Sequence, residues 1–344
     1  MRFLCFSFIS LVLCSCIPSD KTRASIGPPA TRAIKTQELA TEANSRLQTL
    51  ASQSSLAENH IFTNYRARGP AQWSQGWPRR VNLTGISWSQ KQAGTAITPR
   101  HIVLAAHYPI KKGKVLTFHD RKGNPHQRTI QRSISLRKRT DEARADITVA
   151  LLDRPLPSSI TTYRLLPPRT DYEHTLPGCP VLITEQTRRL YIHQVRRQAG
   201  RAISFKKNPD YPAELYKPLI KGDSGNPSFL LVGGEPVLIE THTGGGGGAG
   251  PFYSSPKVFA ALEQIVTTLD PTYRIKTVPL DPALAPSPPK PEPKPRLTRK
   301  PQLTIPPRAN RTNVPIQAPS AATTRRAPRV RRVPTPPEEA APSN

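Results

Sequence analysis

Three residues, each in a setting suited to one role, could do chemistry together. Ser224 stands in Lys221-Gly222-Asp223-Ser224-Gly225-Asn226-Pro227. Glycines on both sides let the backbone take φ > 0 and approach another segment closely. A tight loop of this kind can aim its N–H groups at one point, which in acyl transfer is the oxyanion of a tetrahedral intermediate. The string by itself is also that of a surface turn, so its meaning rests on partners elsewhere. His107 ends the apolar run His101-Ile102-Val103-Leu104-Ala105-Ala106, where two alanines leave room for backbone beside an imidazole. Asp146 opens the apolar run Ile147-Thr148-Val149-Ala150-Leu151-Leu152. From there a carboxylate can be buried against a histidine, hold its tautomer and stabilise the imidazolium. Base, orienting acid and nucleophile, in that order, are the parts of nucleophilic acyl transfer through a covalent intermediate. Taken singly, His107 reads as a core histidine and Asp146 as a turn residue. Their joint occurrence on a β-rich background favours the chemical reading. Asp141, in a charged loop, and Asp153, heading the turn Asp153-Arg154-Pro155, rank behind Asp146 as the acid. His60, His101, His119, His126, His174 and His193 have no accompanying carboxylate motif.

These residues must be held by short strands. From Val81 the pattern is one of apolar or alternating runs broken by Gly, Pro, Asn and Asp. The runs are 81–88, 95–98, 101–107, 114–119, 129–136, 147–152, 180–185, 190–195, 202–205, 228–232 and 236–240. Many short strands with regular turn signals predict an all-β protein. They are too many for one small barrel, so two packed antiparallel barrels are expected. Ser255 as N-cap, Pro256 at the first helical position, and Val258, Leu262, Ile265 and Val266 on one face predict a C-terminal helix. Leu39, Ala43, Leu47 and Leu50 predict a helix within Thr36 to Leu56, either packed on the next domain or acting as a spacer. Tyr65 to Arg80, with Gly69-Pro70 and Trp77-Pro78, reads as irregular.

Three stretches resemble the chymotrypsin/trypsin-like serine peptidase family, in a bacterial, disulfide-free form. They are Thr98-Pro99-Arg100-His101-Ile102-Val103-Leu104-Ala105-Ala106-His107, Asp146-Ile147-Thr148-Val149-Ala150-Leu151-Leu152 and Gly222-Asp223-Ser224-Gly225-Asn226-Pro227. The resemblance spans roughly residues 80–270. It implies two perpendicular β-barrels with the site between them and a C-terminal helix. It also implies a Ser-His-Asp triad of His107, Asp146 and Ser224, with an oxyanion hole from the N–H groups of Gly222 and Ser224. Asn226 stands where the family usually has a second glycine. No activation cleavage site lies at a suitable distance before His107, so Asp223 should have a partner other than a new N-terminal amine. Pro218 occupies the position that often sets the charge of the primary specificity pocket, and it supplies none. The strand Pro236 to Thr243 should form another pocket wall. Thr241-His242-Thr243-Gly244-Gly245 is similar to a His-Trp-Gly-Gly segment of glutamate-specific bacterial relatives, which makes His242 a substrate-binding candidate beside Pro218. Glu240 would favour basic substrates if it faced inward. The run Gly244 to Gly248 reads as a loop at the pocket mouth.

The rest of the 344 residues bound the setting. Lys and Arg number 50 against 23 Asp and Glu, a net charge of +27. That balance suits anionic polymers without choosing among them. Cysteine occurs at 5, 14, 16 and 179 only, with no CxxC pair facing a second one, which argues against a structural zinc site and a disulfide framework and leaves Cys179 as a small buried side chain. No metal or other cofactor is expected. Met1-Arg2 followed by an apolar run to Leu13 reads as a signal peptide over residues 1–15. Leu13-Cys14-Ser15-Cys16 resembles a bacterial lipobox, with Cys16 as the lipidated residue of an exported, membrane-anchored protein; ordinary cleavage near Ala24 is the alternative. The domain reading continues with a tether and helical segment over 16–60, a peptidase domain over 61–272, and a disordered Pro/Arg-rich tail over 273–344. From Lys276 to Asn344 the 18 prolines and 13 basic residues, against 4 acidic ones, leave too little apolar surface to offset chain entropy. The tail reads as a stiff spacer, or as a ligand of an anionic envelope polymer through Arg325-Arg326, Arg329 and Arg331-Arg332. Nucleic acid ranks last, because no aromatic residues are interleaved with the basic ones. Two function classes follow. One is an exported serine endopeptidase acting on a protein or peptide substrate. The other is a noncatalytic envelope-binding protein that keeps a protease-like scaffold and works through its tail.

Overall fold

Nearly all the strands expected from residue 95 onward are present, and they sort by sequence into two sheets. A computed structural model describes residues 34–35, 38–53, 55–88 and 92–281. The readings on residues 1–33 and 282–344, including the leader, Cys16 and most of the Pro/Arg-rich tail, lie outside the described residues. The chain divides into a unit ending at Lys290 and another beginning at Pro291, and every described residue belongs to the first.

In chain order, β1 (Ile34–Lys35), α1 (Leu39–Gln53), β2 (Phe62–Asn64) and β3 (Gln72–Trp73) precede the first large sheet. That sheet comprises β4 (Ile86–Ser87), β5 (Gly94–Ala96), β6 (His101–Ala105), β7 (Val115–His119), β8 (Pro125–Ser135) and β9 (Ile147–Leu152). After the short helix α2 (Tyr172–Thr175), the second sheet comprises β10 (Pro180–Thr184), β11 (Leu190–Ala199), β12 (Ala202–Lys207), β13 (Pro227–Val232), β14 (Glu235–Thr241) and β15 (Ala249–Pro251). Helix α3 (Pro256–Leu269) and β16 (Leu280–Asp281) follow. The sheet orders are β4-β5-β6-β9-β8-β7 and β14-β13-β10-β11-β12-β15. Both sheets are antiparallel, and they curve, one into a nearly closed barrel and the other into a half-barrel. A parallel pair, β1 with β16, and a short antiparallel pair, β2 with β3, complete the strands.

The period of two along each strand builds the core. In β6, Ile102 and Leu104 face one apolar cluster within the first sheet while Val103 faces another shared between sheets. In β9, Ala150 and Leu152 join the first cluster and Ile147, Val149 and Leu151 the shared one. In β13, Phe229 and Leu231 reach the shared cluster and Leu230 and Val232 the interior of the second sheet. Strands covered on both faces explain why these runs are continuously apolar rather than alternating. Helix α3 buries Val258, Leu262, Ile265 and Val266 in the shared cluster. Each such side chain contributes roughly 1.5–3 kcal/mol relative to exposure. Helix α1 is packed, not a spacer. Leu39, Ala43, Leu47 and Leu50 are buried, and Glu42 Oε1 accepts the Gly233 N–H at 3.1 Å in the β13–β14 turn.

Three expectations need correction. The segment 65–80 is not wholly irregular: it carries β3 and a short 3-10 helix at Trp77–Arg80. Trp73 and Trp77 are buried, donating their indole N–H groups to Asp120 O at 2.7 Å and Leu56 O at 3.1 Å. Two indoles outweigh the local Gly and Pro signals. The run 81–88 is mostly turn, with only Ile86–Ser87 in a strand. The Asn82 side-chain oxygen accepts from Thr84 Oγ1 at 2.8 Å, and Ile86 N–H donates to Leu83 O, so polar residues fold the chain back on itself. The ordered body also extends past residue 272. Ile275 and Val278 are buried, and Leu165 exchanges backbone bonds with Lys276 O and Val278 N.

Candidate active site

Strand register brings two of the three candidate side chains together. Ala105 pairs with Ile147 at one end of the β6–β9 ladder, and Ala106 N–H donates to Asp146 O just beyond it. His107 and Asp146, flanking that end, are therefore neighbours although 39 residues apart in sequence. Asp146 grips His107 twice. Oδ1 accepts the His107 backbone N–H at 2.8 Å and Oδ2 lies 2.6 Å from Nδ1. The carboxylate has no proton to give, so Nδ1 carries the hydrogen and Nε2 is left as an acceptor. Ser224 Oγ lies 2.9 Å from that Nε2. The two side chains of the acid–base pair keep 27% and 31% of their surface, so the pair is solvated rather than sealed.

Ser224 comes from the other sheet, in the loop that leads into β13. Gly225, at φ +87, lets this loop press on the end of β6: a Cβ there would lie 3.6 Å from Ala105 N and 3.4 Å from Ala93 O. Its N–H donates to His242 O at 2.9 Å. Asp223 is buried and finds its partners in the backbone, accepting the Ile220 N–H at 2.8 Å and the Gln186 N–H at 3.2 Å. No new chain terminus is needed to neutralise its hydrogen-bonding demand. Gly222 takes φ +105. Neither the Gly222 nor the Ser224 N–H donates to an acceptor among the described residues, so both are available to an oxyanion beside Ser224 Oγ.

Asn226 matters more than its sequence position suggests. It is fully buried, its Nδ2 donates to Asp223 O at 3.0 Å, and its Oδ1 accepts the Trp88 indole N–H at 3.0 Å. One side chain thus ties the serine loop to itself and to the first sheet. The only hint in the sequence is an asparagine where the resemblance calls for glycine; nothing there names Trp88, 138 residues away.

The residues expected to line a substrate pocket are not gathered on an open surface. Pro218 is exposed. His242 is buried, with Nε2 3.0 Å from Thr184 O and Nδ1 2.8 Å from Glu240 Oε1. The Nδ1 contact has ion-pair distance but poor hydrogen-bond direction, since that nitrogen has no aligned acceptor among the described residues. The pair is held by charge rather than by an aligned hydrogen bond. Burial pulls the His242 pKa down, but the Glu240 carboxylate, the Thr184 carbonyl and Asp223 outweigh it, and the net shift is upward. Glu240 is itself buried and accepts from Ser228 Oγ. Neither side chain presents a free polar atom outward. The glycine run is also bonded rather than loose. Leu219 and Gly246 exchange two backbone bonds of 2.7 and 3.0 Å, and Gly248 O accepts from Phe205 N. The run expected as a loop at the pocket mouth is thereby tied to the segment that follows Pro218 and to β12.

The competing groups are engaged elsewhere. Asp141 binds Arg139, and Asp153 Oδ1 accepts the Thr129 N–H at 2.9 Å. His101 is held by Thr98 Oγ1, His119 by Gly69 O and His193 by Gly247 O. Cys179 is buried, which pushes its thiol up to about 12. Among the described residues no group of three His, Cys, Asp or Glu is placed to hold a metal ion, and no helix is long and apolar enough to cross a membrane. No protein-family model matches the sequence, and no curated protein matches it either.

Proposed function

We propose that this chain is a serine endopeptidase of the chymotrypsin/trypsin-like type, hydrolysing peptide bonds through an acyl-enzyme. The observation that carries the proposal is the continuous chain of contacts from Asp146 Oδ2 through His107 to Ser224 Oγ, assembled from two sheets. The two antiparallel sheets, with the serine on a loop of one and the histidine and aspartate at a ladder end of the other, are compatible with that fold.

The reaction follows from the atoms. Ser224 Oγ attacks the peptide carbonyl carbon while its proton passes to His107 Nε2. The carbonyl oxygen becomes an oxyanion and takes hydrogen bonds from the Gly222 and Ser224 N–H groups. The C–N bond breaks as the imidazolium gives its proton to the leaving amine. Water then attacks the acyl-enzyme carbonyl, losing a proton to His107. The protonated imidazole returns it to Ser224 Oγ as the acid product leaves. Asp146 keeps its charge throughout and stabilises the imidazolium. The leader over residues 1–15 and Cys16 would set this activity at the cell envelope, on a lipid anchor.

A fluorophosphonate probe tests the reading without knowledge of the substrate. Ser224 Oγ should form a bond to phosphorus as the P–F bond breaks and fluoride leaves. Ser224→Ala should abolish both labelling and casein cleavage. Labelling that survives the substitution would refute the assignment.

A further inference from the structure

The oxyanion donor at Gly222 belongs to the Lys221–Gly222 peptide, and a side chain far away in sequence controls how that peptide is turned. Residues Ile220 to Asp223 form a tight turn closed by Asp223 N–H to Ile220 O at 3.1 Å. Gly222 is its third residue, at φ +105. A positive φ there is the requirement of a type II turn, and types I and II differ mainly by rotation of the central peptide. That central peptide is Lys221–Gly222. A trans peptide holds its C=O and N–H antiparallel in one plane, so fixing the carbonyl fixes the N–H.

Gln186, just after β10, fixes the carbonyl. Its Nε2 donates to Lys221 O at 3.2 Å. Its amide packs directly over the turn: a Cβ on Gly222 would lie 2.5 Å from Gln186 Oε1 and 2.8 Å from Nε2. Its own backbone N–H reaches Asp223 Oδ1 at 3.2 Å, while Asp223 Oδ2 takes the Ile220 N–H. One residue therefore holds the turn on both sides of the peptide that matters.

We propose that Gln186 is a positioning residue, clamping the Lys221 carbonyl so that the Gly222 N–H stays turned into the oxyanion site beside Ser224. The inference rests on the catalytic reading above. In the rotated turn the Lys221 carbonyl oxygen, not an N–H, would face the developing negative charge. Loss of the clamp thus removes a donor and introduces a repulsive dipole. Gln186 is only half-buried, so its replacement should alter the population of the two turns rather than the fold.

Two variants test it. Gln186→Met keeps the bulk and removes the donor, and Gln186→Glu keeps the shape but sets a carboxylate against the Lys221 carbonyl. Fluorophosphonate labelling of Ser224 is resolved into a binding constant and a maximal rate, with melting temperature measured alongside. The maximal rate should fall about 10- to 100-fold in Gln186→Met, and further in Gln186→Glu, against the roughly 10²–10³-fold cost of a lost oxyanion donor. The binding constant should stay within about twofold, the split expected when only transition-state interactions are removed. If one variant melts lower than the unaltered protein, the other decides. Unchanged maximal rates in stably folded variants overturn the clamp while leaving the catalytic reading intact. Failure of the unaltered protein to label at Ser224 overturns the catalytic reading, and the clamp with it.

Discussion

Asp146 is the residue whose chemistry can be isolated most cleanly, because its two oxygens do different jobs. Oδ1 holds the His107 backbone and Oδ2 faces Nδ1. Asp146→Asn preserves the shape but can point an N–H at Nδ1, forcing the hydrogen onto Nε2 and removing the acceptor that Ser224 needs. On the proposed mechanism, turnover of a peptide substrate should fall by about 10⁴-fold, the cost of replacing the orienting acid of a Ser-His-Asp triad. KM should change little, since the acid does not touch substrate. A loss below tenfold would show that the imidazole does not depend on this carboxylate. The grouping of His107, Asp146 and Ser224 is legible in the sequence because each sits in a short string whose residue types suit the role proposed for it. Gln186 and Asn226 were not, because what they do depends on partners brought near only by folding. A glutamine after a strand has no local signature of holding a carbonyl 35 residues downstream.

Between elements, the serine loop is held against the first sheet by a buried polar bridge and a close backbone approach, besides the Ser224–His107 contact. Asn226→Gly tests the bridge. It restores the residue usual in the family that the motif resembles, yet it strips Trp88 Nε1 of its acceptor in a buried setting. A buried donor left without a partner costs about 1–3 kcal/mol. Urea unfolding should show that loss, and Trp88 fluorescence should change with it; an unaltered midpoint would mean that another acceptor replaces Asn226. The elements themselves were read unevenly from the sequence. Apolar strands such as Ile147–Leu152 and the α3 stripe were legible because burial on both faces, or on one face of a helix, writes itself into residue order. The stretch 65–88 departs in part from its sequence reading in both halves. Trp73 and Trp77 bury a segment that Gly and Pro mark as loop, and an Asn82–Thr84 turn interrupts a run that alternates like a strand. Tertiary contact decides the first, and the Asn82 side-chain oxygen, which accepts the Thr84 backbone N–H at 3.4 Å as well as its hydroxyl, decides the second.

At the scale of the whole molecule, buried histidines of opposite character set the response to pH. His101 and His193 are buried as neutral rings, each with Nδ1 bonded and, among the described residues, no well-aligned partner for Nε2. Burial pushes both down to about 4. For His101, Asp270 partly opposes that shift and Arg100 adds to it; for His193, the Gly247 and Lys217 carbonyls oppose it and His242 adds to it. Between pH 6.5 and 4 the unfolded chain therefore binds protons that these sites refuse, and stability must fall as pH falls through that window. His242 acts in the other direction. Its pKa is raised, chiefly against burial by Glu240, so its contribution is complete below the ordinary histidine value and is lost as pH rises past the folded one. The melting temperature should accordingly drop on acidification from pH 6.5 to 4, by an amount equivalent to about 1–3 kcal/mol per neutral histidine. His101→Gln and His193→Gln, which cannot be protonated, should each flatten that acid limb while leaving the alkaline limb in place. His242→Gln should do the reverse. A melting profile whose acid limb is unchanged in both of the first two variants would assign the acid sensitivity to the carboxylates instead. The natural candidates are then Glu185, held low by Lys217 and Thr187 against its burial, and Asp120, held low by Asn124, His126 and the Lys122 N–H against its desolvation.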